Sequence, residues 1–206
     1  MLHYTFFELI GIIVAGFVVW QLKMPKIENK HKQDIYICGI IGMLLGMKLP
    51  VLISYGLSSD FILHGKSYMG GVLGAFFGIN LYKLLTHQTQ SSFGGRFVIP
   101  LTIAVGFGKI GCYFNGCCSG HFIIPIQLLE SGFQFLMAGI LYLFYKKTNR
   151  IDLLFPIYLL SYLIMRFIIE FIRIEPRLIG PFTIYHVLAL IFIPVLIIIL
   201  WRRRHA

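Results

Sequence analysis

The chain has 206 residues, of which 58% are hydrophobic and only 13% are charged, and its mean hydropathy is +0.83. A soluble domain carries about 25% charged residues, so this composition excludes a soluble globular protein and indicates a polytopic membrane protein. The formal net charge of +10 comes from short basic clusters between apolar runs. Such clusters are typical of the cytoplasmic ends of membrane helices, and we expect no nucleic-acid partner.

The apolar runs predict an all-α fold with seven transmembrane helices in one integral membrane domain, residues 1–206. A helix needs about 20 mainly apolar residues to cross the bilayer. Seven segments meet this requirement: residues 4–22, 35–57, 67–85, 97–115, 125–145, 153–174 and 182–201. The third and fourth are rich in glycine, so both a continuous helix and a broken or re-entrant one are open for them.

The distribution of basic residues predicts the orientation of the chain. Lysines and arginines follow the first helix, border the connection between the third and fourth, fill the connection between the fifth and sixth, and end the chain. With seven helices, all these places fall on one side of the membrane. The positive-inside rule therefore predicts an N-terminus outside and a C-terminus in the cytoplasm.

Other ionisable residues lie within or beside the apolar segments, where the topology does not require them. In the predicted orientation they share the outer part of the membrane: Glu8, Lys48, Lys66, Lys109, Glu130, Arg166, Glu170, Arg173 and Arg177. Lys66 and Arg177 can reach the headgroups from helix ends. Charged groups inside a bilayer are costly unless they are paired or wetted, so the rest predict a functional cavity at the outer leaflet.

The segment "MRFIIEFIRIEP" places Arg166, Glu170 and Arg173 at i, i+4 and i+7, which predicts one shared helical face. Glu170 can bridge both arginines, and two arginines around one glutamate leave a surplus positive charge. Guanidinium groups suit phosphate oxygens. We interpret the segment as an anion site, with a purely structural clasp as the alternative.

Two further segments carry candidate substrate-binding residues. In "HGKSYMGG" the glycine spacing continues through Gly74 and Gly78, which indicates either close helix packing or backbone N–H groups that approach a lipid headgroup. In "IPIQLLE" the polar residues Gln127 and Glu130 are three apart and share one face, in a substrate-contacting or a structural role.

The segment "GKIGCYFNGCCSGH" contains three of the four cysteines. A metal site is a poor interpretation because the spacing lacks a C-x2-C pair, and we expect no metal and no cofactor. A disulfide, Cys112–Cys117 or Cys112–Cys118, remains open on the oxidising side of the membrane. The other interpretation is a tight loop that presents Lys109 and Asn115 to the cavity.

Four of these segments together resemble the prolipoprotein diacylglyceryl transferase family. "GKIGCYFNGC" is similar to its signature Gly-Arg-Ile-Gly-Asn-Phe-x-Asn-Gly-Glu, and "RFIIEFIR" to Arg-Phe-x-x-Glu-Phe-x-Arg. "GKSYMGG" resembles Gly-x-Ser-Phe-His-Gly-Gly, and "IPIQLLE" resembles His-Pro-x-Gln-Leu-Tyr-Glu. The order of the motifs is the same, so the resemblance covers nearly the whole chain.

The resemblance implies a membrane transferase that moves a diacylglyceryl group from phosphatidylglycerol to the thiol of a lipobox cysteine in a secreted precursor. Glycerol phosphate leaves, and the active site faces the outer leaflet of the bacterial cytoplasmic membrane. The implied catalytic residues are Lys109, Asn115, Arg166, Glu170 and Arg173. The implied substrate-binding residues are His64, Lys66, Ser67, Tyr68, Gly70, Gly71, Gln127 and Glu130.

The chain departs from the family pattern at four positions. Met69 stands at the histidine, Lys109 at the signature arginine, and Cys112 and Cys117 at the signature asparagine and glutamate. These differences indicate a divergent, cysteine-containing branch. They keep two alternatives open: a related enzyme with another acceptor or with Cys112, Cys117 or Cys118 as nucleophile, and a non-enzymatic protein that binds or transports anionic lipid.

Overall fold

The computed structural model of the chain describes residues 2–22, 32–57, 65–87, 93–117 and 125–205. These residues form seven long helices and no β-strand, which confirms the predicted all-α fold. In chain order the helices are α1 Leu2–Leu22, α2 Lys32–Tyr55, α3 Tyr68–Leu85, α4 Phe93–Phe114, α5 Ile126–Thr148, α6 Ile151–Glu170 and α7 Ile184–His205.

All seven helices are long and apolar enough to cross a bilayer. At 1.5 Å per residue, the shortest, 18 residues, spans about 27 Å. Large apolar side chains such as Ile13, Trp20, Leu84 and Leu143 are mostly exposed on the outside of the bundle. This surface is compatible with hydrocarbon and not with water.

α2 and α3 approach so closely that their backbones touch. Gly42 and Gly46 of α2 face Gly70 and Gly74 of α3, and a Cβ on any of the four would clash with a backbone oxygen of the other helix. Small residues allow this approach between membrane helices. The packing interpretation of the glycine spacing is therefore confirmed, and α3 and α4 are continuous helices rather than broken ones.

α6 is the central helix of the bundle and contacts α3, α4, α5 and α7. Its fully buried residues recur at helical spacing, with Leu154, Tyr158 and Leu159 all at 0% exposure and Tyr162 at 1%. This apolar and aromatic stripe fixes the rotation of α6 about its axis. The same rotation sets the direction of the side chains of Arg166 and Glu170, which lie one and two turns after Tyr162.

The helix boundaries differ most from prediction at the end of α6. The helix ends at Glu170 rather than at residue 174, because a turn at Phe171 and Ile172 interrupts the helical hydrogen bonds. Pro176 also disfavours helical backbone at the residue before it. The spacing predicted that Arg173 shares a helical face with Arg166. This prediction is wrong, because Arg173 lies on the segment beyond the helix.

Candidate functional site

Glu130 is the centre of a buried network of charges. It lies in the second turn of α5, its side chain is 1% exposed, and it forms ion pairs with residues of three other segments. Lys109 of α4 pairs with Oε2, while Arg166 Nη1 of α6 and Arg173 Nη1 lie 2.7 and 3.5 Å from Oε1. Glu130 was predicted in a substrate-contacting or a structural role, and the structure gives it three basic partners, more than Glu170 or Glu175 has.

Glu170 is the second carboxylate of the network. Its Oε2 lies 3.0 Å from Arg166 Nη2 and 3.8 Å from Arg173 Nε, so it bridges both arginines as the sequence predicted. Its Oε1 accepts a hydrogen bond of 3.0 Å from the hydroxyl of Thr183, which immediately precedes α7. The last residue of α6 is thereby joined to the start of α7.

Arg173 and Glu175 close the network at its outer edge. Arg173 Nη2 donates to Glu175 Oε1 at 3.0 Å, and Tyr55, the last residue of α2, donates its hydroxyl to Glu175 Oε2 at 2.8 Å. The side chain of Glu175 is 13% exposed, compared with 1% for Glu130 and 0% for Glu170. Glu175 is the most accessible carboxylate of the three and is not part of a helix.

The ionic cluster consists of Lys109, Glu130, Arg166, Glu170, Arg173 and Glu175. It holds three basic and three acidic groups, so Glu130 and Glu175 cancel both the surplus positive charge expected from the Arg166–Glu170–Arg173 spacing and the charge of Lys109. The buried Nε of Arg166 is nevertheless among the donor atoms of the cluster that have no hydrogen-bond partner in the described part of the chain. The guanidinium also lies over the ring of Tyr185, 4.8 Å from its centroid.

Thr183 and His186 were missed by the sequence analysis. The backbone N–H of Thr183 donates to His186 Nδ1 at 3.1 Å, three residues on, which is one of the two hydrogen bonds of a capping box at the start of α7. His186 is fully buried among the rings of Phe167, Phe171 and Phe182. The T-x-x-H spacing was the available signal, with histidine in the place usually held by glutamate or glutamine.

The "GKSYMGG" residues lie at the start of α3. Ser67 is the N-cap, and its hydroxyl accepts a hydrogen bond of 3.2 Å from Gly70 N–H. Lys66 is exposed, whereas Gly70 and Gly71 are buried. Lys48 of α2 donates to the carbonyl of Gly65 at 2.8 Å, which fastens this segment to α2. His64 lies outside the described residues.

Tyr68 belongs to a separate network of hydroxyl groups beneath the ionic cluster. Its hydroxyl lies 2.7 Å from that of Tyr158, which donates to Gln134 Oε1 at 3.0 Å. Met69, at the position of the family histidine, is 2% exposed and packs in the apolar core. Among the described residues, the histidine connected to the ionic cluster is His186. Its imidazole contacts the hydroxyl of Thr183, which in turn donates to Glu170.

The cysteine segment forms the end of α4 and the turn after it. Gln127 Nε2 donates to the carbonyl of Cys117 at 2.6 Å, and Cys117 Sγ donates to the carbonyl of Cys112 at 3.5 Å. A Cys112–Cys117 disulfide is thus not formed, and Cys118 lies outside the described residues. Asn115 is exposed and is not brought to the ionic cluster. The described residues contain no group of three His, Cys, Asp or Glu side chains suited to a metal ion.

Seven apolar helices and a buried, charge-balanced cluster of side chains define a polytopic membrane protein with a polar site inside the bundle. The sequence profile described as prolipoprotein diacylglyceryl transferase matches residues 1–202. The chain therefore belongs to the prolipoprotein diacylglyceryl transferase family, as its four motifs predicted.

Individual relatives agree with this assignment. The chain is 26% identical to the phosphatidylglycerol–prolipoprotein diacylglyceryl transferase of Clostridium tetani, over 83% of this chain and 85% of the relative. It is 26% identical to transferase 2 of Clostridium perfringens, over 84% and 79%. It is 28% identical to the enzyme of Idiomarina loihiensis, over 74% and 66%.

Proposed function

We propose that the chain transfers a diacylglyceryl group from phosphatidylglycerol to the lipobox cysteine of a secreted prolipoprotein. Family membership supports the reaction class. The observation that carries the assignment to this site is the ionic cluster, in which two guanidinium groups and an ammonium group converge inside the bundle. Such a site suits the phosphate of an anionic donor lipid.

The proposed orientation places the cluster at the outer leaflet of the bacterial cytoplasmic membrane. Arg150 and Arg203 lie at the other end of α6 and α7 from Glu170 and Thr183. By the positive-inside rule, the end rich in basic residues faces the cytoplasm. A secreted precursor would then meet the cluster from the side on which it emerges.

The charge balance of the cluster bears on how the phosphate enters. With three basic and three acidic groups already paired, an incoming phosphate must replace a carboxylate or remain uncompensated. We assign the exchange to Glu175, because it is the most exposed of the three and lies outside the helices. Arg173 would change partner from Glu175 to the phosphate, and the unused Nε of Arg166 would donate to the same group.

The cluster also suits the leaving group. A carbon–sulfur bond forms at the terminal glyceryl carbon, the bond from that carbon to the phosphate oxygen breaks, and the thiol releases its proton to water. Glycerol phosphate departs with one more negative charge on its phosphate than the donor carried. Cations that are already in position stabilise this developing charge without reorganisation. Lys109, Arg166 and Arg173 are assigned this role, with Glu130 and Glu170 positioning them.

The direct test incubates the purified chain with phosphatidylglycerol vesicles and a lipobox peptide, with detection of the thioether by mass spectrometry. Product is expected with the native chain and not with Arg166→Gln, and a family relative assayed in parallel shows that the conditions support turnover. No product from folded native chain, while the relative turns over, would contradict the proposal. Depletion of phosphatidylglycerol without thioether would indicate another acceptor, and binding without any new species would indicate a lipid-binding protein.

A further inference from the structure

The network of hydroxyl groups beneath the ionic cluster ends in a side-chain amide with unused donors. The hydroxyl of Tyr158 donates to Gln134 Oε1 at 3.0 Å and lies 2.7 Å from the hydroxyl of Tyr68. Gln134 and Tyr158 are both 0% exposed. Because Tyr158 occupies the oxygen of the amide, the NH₂ group points elsewhere, and this Nε2 has no hydrogen-bond partner among the described residues.

The unused N–H groups of Gln134 call for an acceptor. Burial of an amide donor without a partner is unfavourable, so water or a ligand has to supply one. A neutral oxygen suits this place better than an anion, because the amide carries no charge and the surrounding stripe of Leu159, Tyr162 and Leu163 is apolar and aromatic. A carbonyl oxygen is such an acceptor.

The depth of Gln134 indicates which carbonyl would reach it. Gln134 follows Glu130 by one turn on the same face of α5, which corresponds to about 6 Å along the helix axis. Glu130 lies near the start of α5, so Gln134 lies on the side of the ionic cluster that faces the interior of the bilayer. In a glycerophospholipid the ester carbonyls lie between the phosphate and the acyl chains. A lipid whose phosphate is bound by the cluster would therefore bring an ester carbonyl towards Gln134.

An apolar groove begins at the residue before Gln134. Phe133 lines a groove of about 390 Å³ together with side chains of α6 that include Ile164 and Ile168. Ile164 and Ile168 are 45% and 61% exposed on the outside of the bundle, where lipid hydrocarbon would meet them. An acyl chain suits such a groove better than a polar peptide backbone does. The surroundings of Gln134 thus favour a lipid ester over a carbonyl of the acceptor peptide.

We propose that Gln134 donates a hydrogen bond to an ester carbonyl of the donor lipid and so selects diacyl lipids over their ether-linked counterparts. This ester subsite, Gln134 with its amide held by Tyr158, rests on the proposed function, because the ionic cluster is taken as the place of the phosphate. The ester bonds stay intact in the transfer. Gln134 would therefore determine which glycerolipid is accepted and take no part in the bond that breaks.

The test compares two phosphatidylglycerols with the same headgroup and chain lengths, one with ester-linked and one with ether-linked chains. The ether lipid keeps the phosphate and the carbon–oxygen bond that breaks in the transfer, but it has no carbonyl oxygen. Native mass spectrometry of the purified full chain with both lipids in competition measures the ratio of their affinities. Thioether formation with a lipobox peptide measures the ratio of their kcat/KM values.

The variants are Gln134→Met, which removes both N–H donors at similar volume, and Gln134→Leu. Thr102→Val and Ser131→Ala are the matched controls, since each removes a buried hydroxyl. Those two hydroxyls already donate to backbone oxygens inside the bundle, of Ile99 and Gly106 respectively, and leave no donor for a lipid. Melting temperatures identify any variant that is not folded, and the competition measures a ratio within each folded protein.

We expect the native chain and both controls to favour the ester lipid by about threefold to tenfold. Gln134→Met and Gln134→Leu should bind the two lipids with nearly equal affinity. Equal affinities in the native chain would overturn the ester subsite and assign the amide to bound water, and the native preference in folded Gln134→Met would also overturn it. A raised KM for the lipobox peptide in Gln134→Met, with an unchanged lipid ratio, would overturn it in favour of a peptide carbonyl.

The two readouts separate the ester subsite from the transferase assignment. The affinity ratio does not require turnover, so a native chain that prefers the ester lipid but forms no thioether would contradict only the proposed activity. Thioether formation at equal rates from the two lipids would overturn the ester subsite and leave the transferase assignment intact.

Discussion

Glu130 and Arg166 lie on neighbouring helices, are 2.7 Å apart, and are each almost fully buried. Their separation in sequence is 36 residues, so the contact exists only in the assembled bundle. Because Glu130 also pairs with Lys109 and Arg173, it compensates three positive charges at once. The stability of the site therefore depends on this one carboxylate more than on any other.

Replacing Glu130 with Gln should destabilise the chain strongly. The change leaves the buried charges of Lys109 and Arg166 with fewer partners, and breaking a buried ion pair from one side costs about 3–5 kcal/mol. Thermal melting of the detergent-solubilised protein measures the effect. Glu8→Gln removes the same charge from an exposed position and should leave the melting temperature near native. Equal melting temperatures for both variants would contradict the central role of Glu130.

Replacing Glu175 with Gln should lower the KM for phosphatidylglycerol, because the phosphate no longer has to displace a charged carboxylate from Arg173. A change of about threefold to tenfold is expected, equivalent to roughly 0.7–1.4 kcal/mol. Tyr55→Phe, which removes the second hydrogen bond to Glu175, should act in the same direction. A raised KM in both variants would show that Glu175 supports the donor site instead of occupying it.

Cys112 and Cys117, which follow Lys109 in the sequence, should be dispensable for thioether formation. Cys112→Ser and Cys117→Ser change side chains, whereas the bond from Gln127 ends on a backbone oxygen. Both variants, and the native chain after thiol alkylation, should retain turnover within a factor of about three, or roughly 0.7 kcal/mol. Loss of turnover in folded Cys112→Ser would favour the alternative in which a cysteine of the chain is the nucleophile.

His186 should be replaceable by Gln but not by Ala. Gln can still accept the backbone N–H of Thr183, whereas Ala removes the acceptor, at a cost of about 1 kcal/mol plus the loss of packing against Phe171. Melting temperature and turnover of the two variants measure the difference. If Gln also abolished turnover without changing stability, His186 would have a chemical role beyond the cap.

The close contact between α2 and α3 predicts different effects of alanine substitution at two positions within one turn of α3. Gly74→Ala should destabilise the bundle by about 1–3 kcal/mol, because the added methyl group meets the backbone of Gly42. Gly71→Ala is the matched control, since its Cβ would be 3.5 Å from the nearest side-chain atoms, an ordinary contact. Melting temperatures that fall equally would contradict the difference in available space between the two positions.

The sequence predicted the helices well because membrane spans depend on local composition, which a window of about 20 residues contains. It also predicted a shared depth for Lys109, Glu130 and Arg166, since depth follows from position within a span. It also predicted that Glu170 bridges Arg166 and Arg173, but it did not predict the pairs that Glu130 forms with bases of other segments. The rotation of each helix about its axis decides those pairs, and packing against the other helices sets that rotation.

Arg173 and Thr183 illustrate what local spacing cannot predict. The i, i+7 spacing of Arg166 and Arg173 assumes that the helix continues, and the turn after Glu170 removes that assumption. The hydrogen bond between Thr183 and Glu170 joins two elements across an irregular segment. A threonine before an apolar run predicts a helix cap, but its second role requires the tertiary structure.

The distribution of the ionic cluster over several helices has a consequence for biogenesis. Lys109 belongs to α4, Glu130 to α5 and Arg166 to α6, so each of these helices enters the membrane with a charge whose partner is on another helix. A lone charge in hydrocarbon is unfavourable. We therefore expect α4, α5 and α6 to leave the insertion machinery together, as one unit whose charges are already paired.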